Sequence, residues 1–147
     1  MAQFGRPSTD TTMDNWEEDD GTTTNIFDQI DETPADNADY IRTGLTPTSD
    51  VYVTKLTTIV DPVSSAGHTL RYNYRKDVAS GDQIDLTVQL RQGYVNEGTP
   101  GTLIAGTTHT DISGASWTSG SFTLSGAEAD SISDYDSLYV RLVANKP

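Results

Sequence analysis

The chain has 147 residues, with 9 Lys+Arg against 22 Asp+Glu and a formal net charge of −13, and it contains no cysteine. That length holds one domain rather than two. The missing cysteine excludes a disulfide framework, a thiol nucleophile and a thiolate zinc site. The acidic balance argues against a nucleic-acid binder, which needs clustered Lys/Arg to meet phosphates. No apolar run approaches the roughly 20 residues of a transmembrane helix, and the opening MAQFGRPSTDTTMD carries no signal-peptide core, so a membrane partner is not expected.

Charge and apolar content are unevenly spread. Residues 1–50 hold 12 acids and 2 bases, and residues 51–147 hold 10 and 7. Leu, Ile, Val and Phe make up 12% of the first stretch and 24% of the second, and a content below about 20% at high net charge is the disordered regime. Residues 1–24 are therefore predicted to form an extended, flexible acidic arm, and residues 25–147 the folded domain. Thr (22) and Ser (13) supply about one residue in four, which favours sheet over helix.

The elements follow in chain order. Within the arm, Phe4, Arg6 and Trp16 stand out among Thr, Asp and Glu. The run Glu17-Glu18-Asp19-Asp20-Gly21 invites a calcium reading. Setting Gly21 sixth in an EF-hand loop, however, puts Trp16 first and Phe27 twelfth, so the motif fails at both ends. It reads as a solvated acidic stretch. Asn25–Glu32 spaces Ile26, Phe27 and Ile30 like one helical turn, and Ala38–Thr43 is predicted as a first, edge strand. Asp50–Val60, rich in Val, Thr and Ile, is a strand stopped at Asp61-Pro62. In Thr69–Asp77, Leu70, Tyr72 and Tyr74 alternate with Arg71, Asn73 and Arg75. Gln83–Gln92 repeats the pattern with Ile84, Leu86, Val88 and Leu90 inward. The Gly- and Asp-bearing segment 78–82 between these two strands predicts that they pair as a hairpin. Thr102–Thr110 is a weaker strand, and Ser116–Leu124 is another with Gly120 as a bulge marker. Ala127–Ile132 has room for one helical turn, and Ser137–Ala144 closes the chain. Short strands with turn signals and no covering helices predict an all-β fold, an antiparallel jelly-roll-like β-sandwich with an extended acidic N-terminal arm.

The residues nominate no catalytic, cofactor or metal site. Asp82 and Asp85 lie near the predicted hairpin, but they are an arbitrary choice from 22 acids and sit on opposite faces of a strand. His68 and His109 stand in Gly/Thr-rich surroundings. Gly114-Ala115-Ser116-Trp117-Thr118 lacks the second Gly of a nucleophile elbow, and there is no phosphate-binding loop. Tyr72, Tyr74, Trp117 and Tyr139 would make a sugar-stacking platform if they shared a surface, although periodicity assigns Tyr72 and Tyr74 to the core with Leu70. Arg71, Arg75 and Arg91 fall on the outward face of the two clearest strands as a small positive stripe. It would serve cross-strand pairing with Asp85 or contact with an acidic partner or with a neighbouring copy's arm.

Three stretches carry a family resemblance. They are NIFDQIDE (Asn25–Glu32) with ADYI (Ala38–Ile41), DPVSSAGHTLRYNYRK (Asp61–Lys76), and GAEADSISDY (Gly126–Tyr135) followed by LYVRL (Leu138–Leu142). Over roughly residues 25–144 the chain resembles small virion proteins of tailed bacteriophages, most closely the capsid decoration (cement) proteins. Asn73 stands where that pattern commonly has Arg. The resemblance implies a non-enzymatic structural protein, made in the host cytoplasm and located on the capsid surface. Its partners would be the major capsid protein and neighbouring copies of itself, with a trimer as the natural assembly. Phe4, Arg6, Trp16, Arg71, Arg75 and Arg91 are the expected contact residues. The alternative is a carbohydrate-binding module or a tail- or fibre-associated adhesion protein, with a glycan as partner.

Overall fold

The computed structural model describes residues 2–147. Strands take up 41% of the chain and helix 6%, and every strand pair is antiparallel, so the fold is all-β. The strands are β1 (Pro7–Met13), β2 (Trp16–Glu18), β3 (Ile41–Thr43), β4 (Thr48–Leu56), β5 (Thr69–Tyr74), β6 (Asp85–Gln92), β7 (Thr102–His109), β8 (Thr118–Thr123) and β9 (Leu138–Asn145). A single turn of 3-10 helix spans Ile26–Gln29, and one short helix, α1, spans Gly126–Asp130. Ser125 and Glu128 cap α1 reciprocally, the Ser hydroxyl accepting from the Glu128 N–H and the Glu carboxylate from the Ser125 N–H.

Five strands form one sheet in the order β1-β4-β9-β6-β7, and two ribbons, β2-β3 and β5-β8, form the remainder. Period-two alternation divides the large sheet into two faces. Tyr52, Leu86, Val88, Leu90, Leu138, Val140, Leu142 and Ala144 share the first face. The part of it around Leu86, Leu142 and Ala144 is covered by Trp16, Ile26, Ile30 and Ile41 from β2, the 3-10 turn and β3. Its other end is covered by Ala129 and Ile132 of the α1 region with Phe122 and Leu124 of the β8 segment. Val51, Val53, Tyr139 and Val143 lie on the second face, beneath Tyr94 of the loop that joins β6 to β7.

The predicted strands in residues 48–145 all form, but their partners differ from expectation. β5 and β6 do not make a hairpin with each other. β5 pairs with β8, and β6 lies between β9 and β7. The apolar face of β6, with Val88 fully buried, is satisfied only in the interior of the large sheet. The Tyr72 ring, in contrast, needs a partner strand without a side chain opposite it. Gly120 supplies that partner. A Cβ built at Gly120 would lie 2.4 Å from Tyr72 Cε2. Gly120 therefore seats an aromatic ring, and no register break marks it as a bulge.

Residues 1–24 are not a free arm over their whole length. β1 pairs with β4 along the edge of the large sheet, with two register breaks. Polar, β-branched Thr residues suit such an edge, where backbone bonds do the holding and little apolar surface is required. Asp10 anchors the segment further. Its Oδ1 accepts from the Tyr52 hydroxyl (2.8 Å) and the Phe27 N–H (3.1 Å), and its Oδ2 from the Ile26 N–H (2.9 Å). One carboxylate thus ties the edge strand to a central strand and to the start of the 3-10 turn, whose first N–H groups have no intrahelical acceptor. Trp16 follows, 7% exposed and 6.1 Å ring-to-ring from Tyr52, with its indole N–H donating to the Asp50 carbonyl at 3.1 Å.

Two substitutions test these constraints by urea unfolding. Asp10→Ala leaves two backbone N–H groups and a buried phenol without their acceptor, and it is expected to cost about 3 kcal/mol. Gly120→Ala is expected to cost roughly 1–3 kcal/mol through overpacking against Tyr72, and much less when introduced into a Tyr72→Ala background.

Candidate interaction surfaces

The six sequence-nominated contact residues fall in four places. Phe4 and Arg6 lie before β1, where the chain runs beside the segment that leaves β4. The Gln3 side-chain amide grips both backbone groups of Val60, donating to its carbonyl at 3.0 Å and accepting from its N–H at 2.8 Å. Arg6 and Thr57 exchange bonds as well, the Thr57 N–H reaching the Arg6 carbonyl at 2.7 Å and the Arg6 N–H the Thr57 hydroxyl at 3.1 Å. This clasp leaves Phe4 (53% exposed) and Val60 (70%) at one end of the sheet, with Val63 (91%) three residues further along the same loop. Scattered apolar residues on a surface are ordinary, but three large ones on two segments bonded together make an apolar corner. Sequence reading misses both valines: it makes Val60 the last residue of the strand Asp50–Val60, whereas β4 ends at Leu56 and leaves Val60 on the following loop.

Trp16 is buried and unavailable to a partner. Asp50, Ile26 and Tyr52 surround it, and their distance in sequence hides that environment from a reading of residues 1–24 alone.

Arg71 and Arg75 lie on the outer face of the β5-β8 ribbon, as expected, but Arg91 does not join them. It lies on the second face of the large sheet, where its Nε donates to Gln89 Oε1 (2.9 Å) and its Nη1 to the Pro100 carbonyl (3.2 Å). The neighbouring guanidinium of Arg141 holds Glu97 through two contacts, Nε to Oε1 at 2.9 Å and Nη2 to Oε2 at 2.6 Å, and also reaches Gln89 at 3.3 Å. Tyr94 donates to Glu97 at 2.8 Å and is bonded to Thr12 of β1 at 2.8 Å. These contacts fasten the loop of residues 93–101 over the sheet. The bonds from Arg141, ahead of the desolvation that opposes them, hold the Glu97 carboxyl below its usual range. Gly101, at φ +66°, is obligatory there, because a Cβ would meet the Gln92 carbonyl at 2.2 Å. The function of Arg91 is thus internal. Among the described residues the ion pairs are Arg42–Glu17 (3.0 Å), Arg141–Glu97 and Lys146–Asp82 (2.7 Å), and Asp85 takes backbone and amide donors rather than an arginine.

The four aromatic side chains considered as a sugar platform are dispersed. Tyr72 and Tyr74 face inward onto His109 at the end of β7. The Tyr72 hydroxyl is 2.8 Å from His109 Nε2, and the Tyr74 ring stacks on the imidazole with centroids 4.1 Å apart. Tyr139 lies on the far face beside Tyr94 (5.9 Å). Trp117 alone remains on the outer face, where it meets Tyr40 edge-on at 5.6 Å and Arg75 at 4.9 Å. His68 is likewise bonded to a phenol, Tyr135, at 2.8 Å. Among the described residues no group of three or more His, Asp and Glu side chains is arranged to hold a metal ion.

His109 generates a pH prediction. Burial lowers its pKa from 6.5, so the fold favours the neutral imidazole. The unfolded chain therefore takes up a proton first as pH falls below about 6.5, and stability declines from there down to the folded-state value. Unfolding curves between pH 7.5 and 5.5 are expected to show a larger loss of stability for the natural protein than for His109→Gln; parallel losses would remove His109 from this role.

Comparison of the chain with protein-family models, curated proteins and solved structures finds no match.

Proposed function

We propose that this chain is a non-enzymatic virion protein of a tailed phage, with a jelly-roll-like β-sandwich body that binds the outside of the capsid as a decoration protein. The observation that carries the contact surface is the Phe4–Val60–Val63 corner. The N-terminal segment emerges from its clasp there, and among the described residues three of the seven exposed large apolar side chains stand on the two clasped segments, the others (Leu45, Val78, Val95 and Leu103) being on separate loops and strands. The resemblance at residues 25–144 supplies the class, and the geometry supplies the means. A capsid offers many symmetric copies of one site, so a small apolar contact per copy gains from multivalency when the decorating protein itself associates. Aromatic anchors supply much of the energy of such contacts, and Phe4 is the one aromatic residue of the first 24 that remains exposed. The two-layer body, bonded from β1 to the Tyr94 loop, gives that corner a rigid mount.

The test is co-sedimentation with capsids stripped of accessory proteins. Saturable binding at a fixed ratio to the major capsid protein is expected, and Phe4→Ala/Val60→Asp is expected to weaken it by about tenfold or more, the effect of losing one interfacial anchor. Thermal unfolding of that variant should match the parent. Absence of capsid binding by the parent protein would overturn the reading, and undiminished binding by the folded variant would move the contact elsewhere.

A further inference from the structure

The outer face of the β5-β8 ribbon is separate from the Phe4–Val60–Val63 corner and independent of the capsid reading. Its cross-strand pairs are Thr69 with Thr123, Arg71 with Ser121 and Asn73 with Ser119. One step beyond the paired residues, Arg75 and Trp117 continue the same face, since Arg75 lies over the Trp117 ring. Tyr40, just before β3, closes this end against Trp117, and Asn37 joins through a 2.7 Å bond that its side-chain carbonyl accepts from Asn73. Ser119 donates to the Asn73 carbonyl oxygen at 3.0 Å. The result is a flat strip of amides and hydroxyls that ends in an aromatic corner.

Two features of this strip point to a ligand. The first is unused hydrogen-bonding capacity. Asn37 and Asn73 each keep amide donors beyond the bonds just named, and Arg75 commits one Nη to the Ala115 carbonyl at 3.3 Å. Arg71 is exposed, and among the described residues its guanidinium has no side-chain hydrogen-bond or ion-pair partner. The second is charge. In a protein of net charge −13, neither Arg71 nor Arg75 has a carboxylate within ion-pair distance among the described residues; Arg6, Lys55, Lys76 and Arg91 likewise make no ion pair, and what sets Arg71 and Arg75 apart is that they share one strand face with the Asn73 and Asn37 amides. Even Asp36 and Asp39, adjacent in sequence to Asn37 and Tyr40, leave the two guanidiniums unpaired. Guanidinium groups match carboxylates bidentately, and amides and hydroxyls match vicinal ring hydroxyls. The aromatic rings of Trp117 and Tyr40 hold the Arg75 guanidinium in place, at 4.9 and 5.5 Å from their centroids.

We propose that this face binds a saccharide bearing a carboxylate, with Arg71 and Arg75 meeting the acid and Asn37, Asn73 and Ser119 the ring hydroxyls, while Trp117 and Tyr40 seat the Arg75 guanidinium. The site shares no residue with the Phe4–Val60–Val63 corner, so loss of one leaves the other to be measured.

The experiment is amide chemical-shift titration of the full chain with 3′-sialyllactose and with a trigalacturonate, with lactose as the neutral counterpart. Saturable shifts confined to residues of β5, β8 and the Asn37–Tyr40 segment are expected with an acidic probe and not with lactose. The two acidic probes separate a sialic from a uronic ligand. Arg71→Ala, a substitution at an exposed residue without side-chain partners, is expected to weaken binding by about tenfold, as is Trp117→Ala. Failure of both acidic probes to give saturable shifts overturns the proposal. Equal binding of lactose overturns the acidic assignment. Unchanged affinity in Arg71→Ala, whose fold the same spectra report, overturns the placement.

Discussion

Three donors converge on the carboxylate of Asp10, and much of the first fifty residues depends on it. Without that acceptor the 3-10 turn at Ile26–Gln29 starts with bare N–H groups, and the Tyr52 phenol is buried beneath it with nothing to bond. Burial, reinforced by the Asp10 bond, pushes that phenol well above its ordinary pKa, so it remains a donor at any physiological pH. The turn in turn seats Ile26, fully buried, against Trp16 and Tyr52, and this cluster covers one end of the large sheet. An acidic, Thr-rich segment with little apolar content is thereby attached by directed bonds rather than by area. Charge-assisted bonds of this kind are the stronger class of hydrogen bond and fix geometry as well as energy.

The second face of the sheet uses the same device in another form. Glu97, Arg141, Gln89, Arg91 and Tyr94 form a bonded chain that crosses from the loop to β9 and β6, and Thr12 extends it to β1. Polar networks of this sort specify one arrangement when every member is satisfied. The Arg141 guanidinium is mostly covered and the Glu97 carboxylate less so, so the pair acts more as a positioning latch for the loop than as a large source of stability.

Legibility in the sequence followed the kind of force at work. Period-two alternation exposed the strands at 69–74 and 85–92, because the spacing of Leu70 or Val88 is a local pattern, but it read the opposite face of β6 as open to solvent where the loop of residues 93–101 covers it. Partner choice was not legible. Whether β5 pairs with β6 or β8 turns on the fit of the Tyr72 ring over Gly120, forty-eight positions away, and a glycine between serines reads equally well as a bulge. β1 was illegible for a different reason, since an edge strand held by backbone bonds and one aspartate leaves no hydrophobic signature. For the surface, sequence located Phe4, Arg71 and Arg75 and misplaced Trp16 and Arg91. Burial of the tryptophan and bonding of the arginine are both decided by residues remote in the chain.

The position of β9 has a consequence for biosynthesis. It lies at the centre of the large sheet, between β4 and β6, yet it follows both of them in the chain. During translation β4 and β6 therefore emerge with edges that their final neighbour cannot yet cover, and the sheet closes only when residues 138–145 have left the ribosome. Nascent strands in that condition are prone to stick to one another. An early stretch carrying twelve acids keeps such chains apart while they wait, so the charge that contributes little to the finished core protects the chain before the core exists.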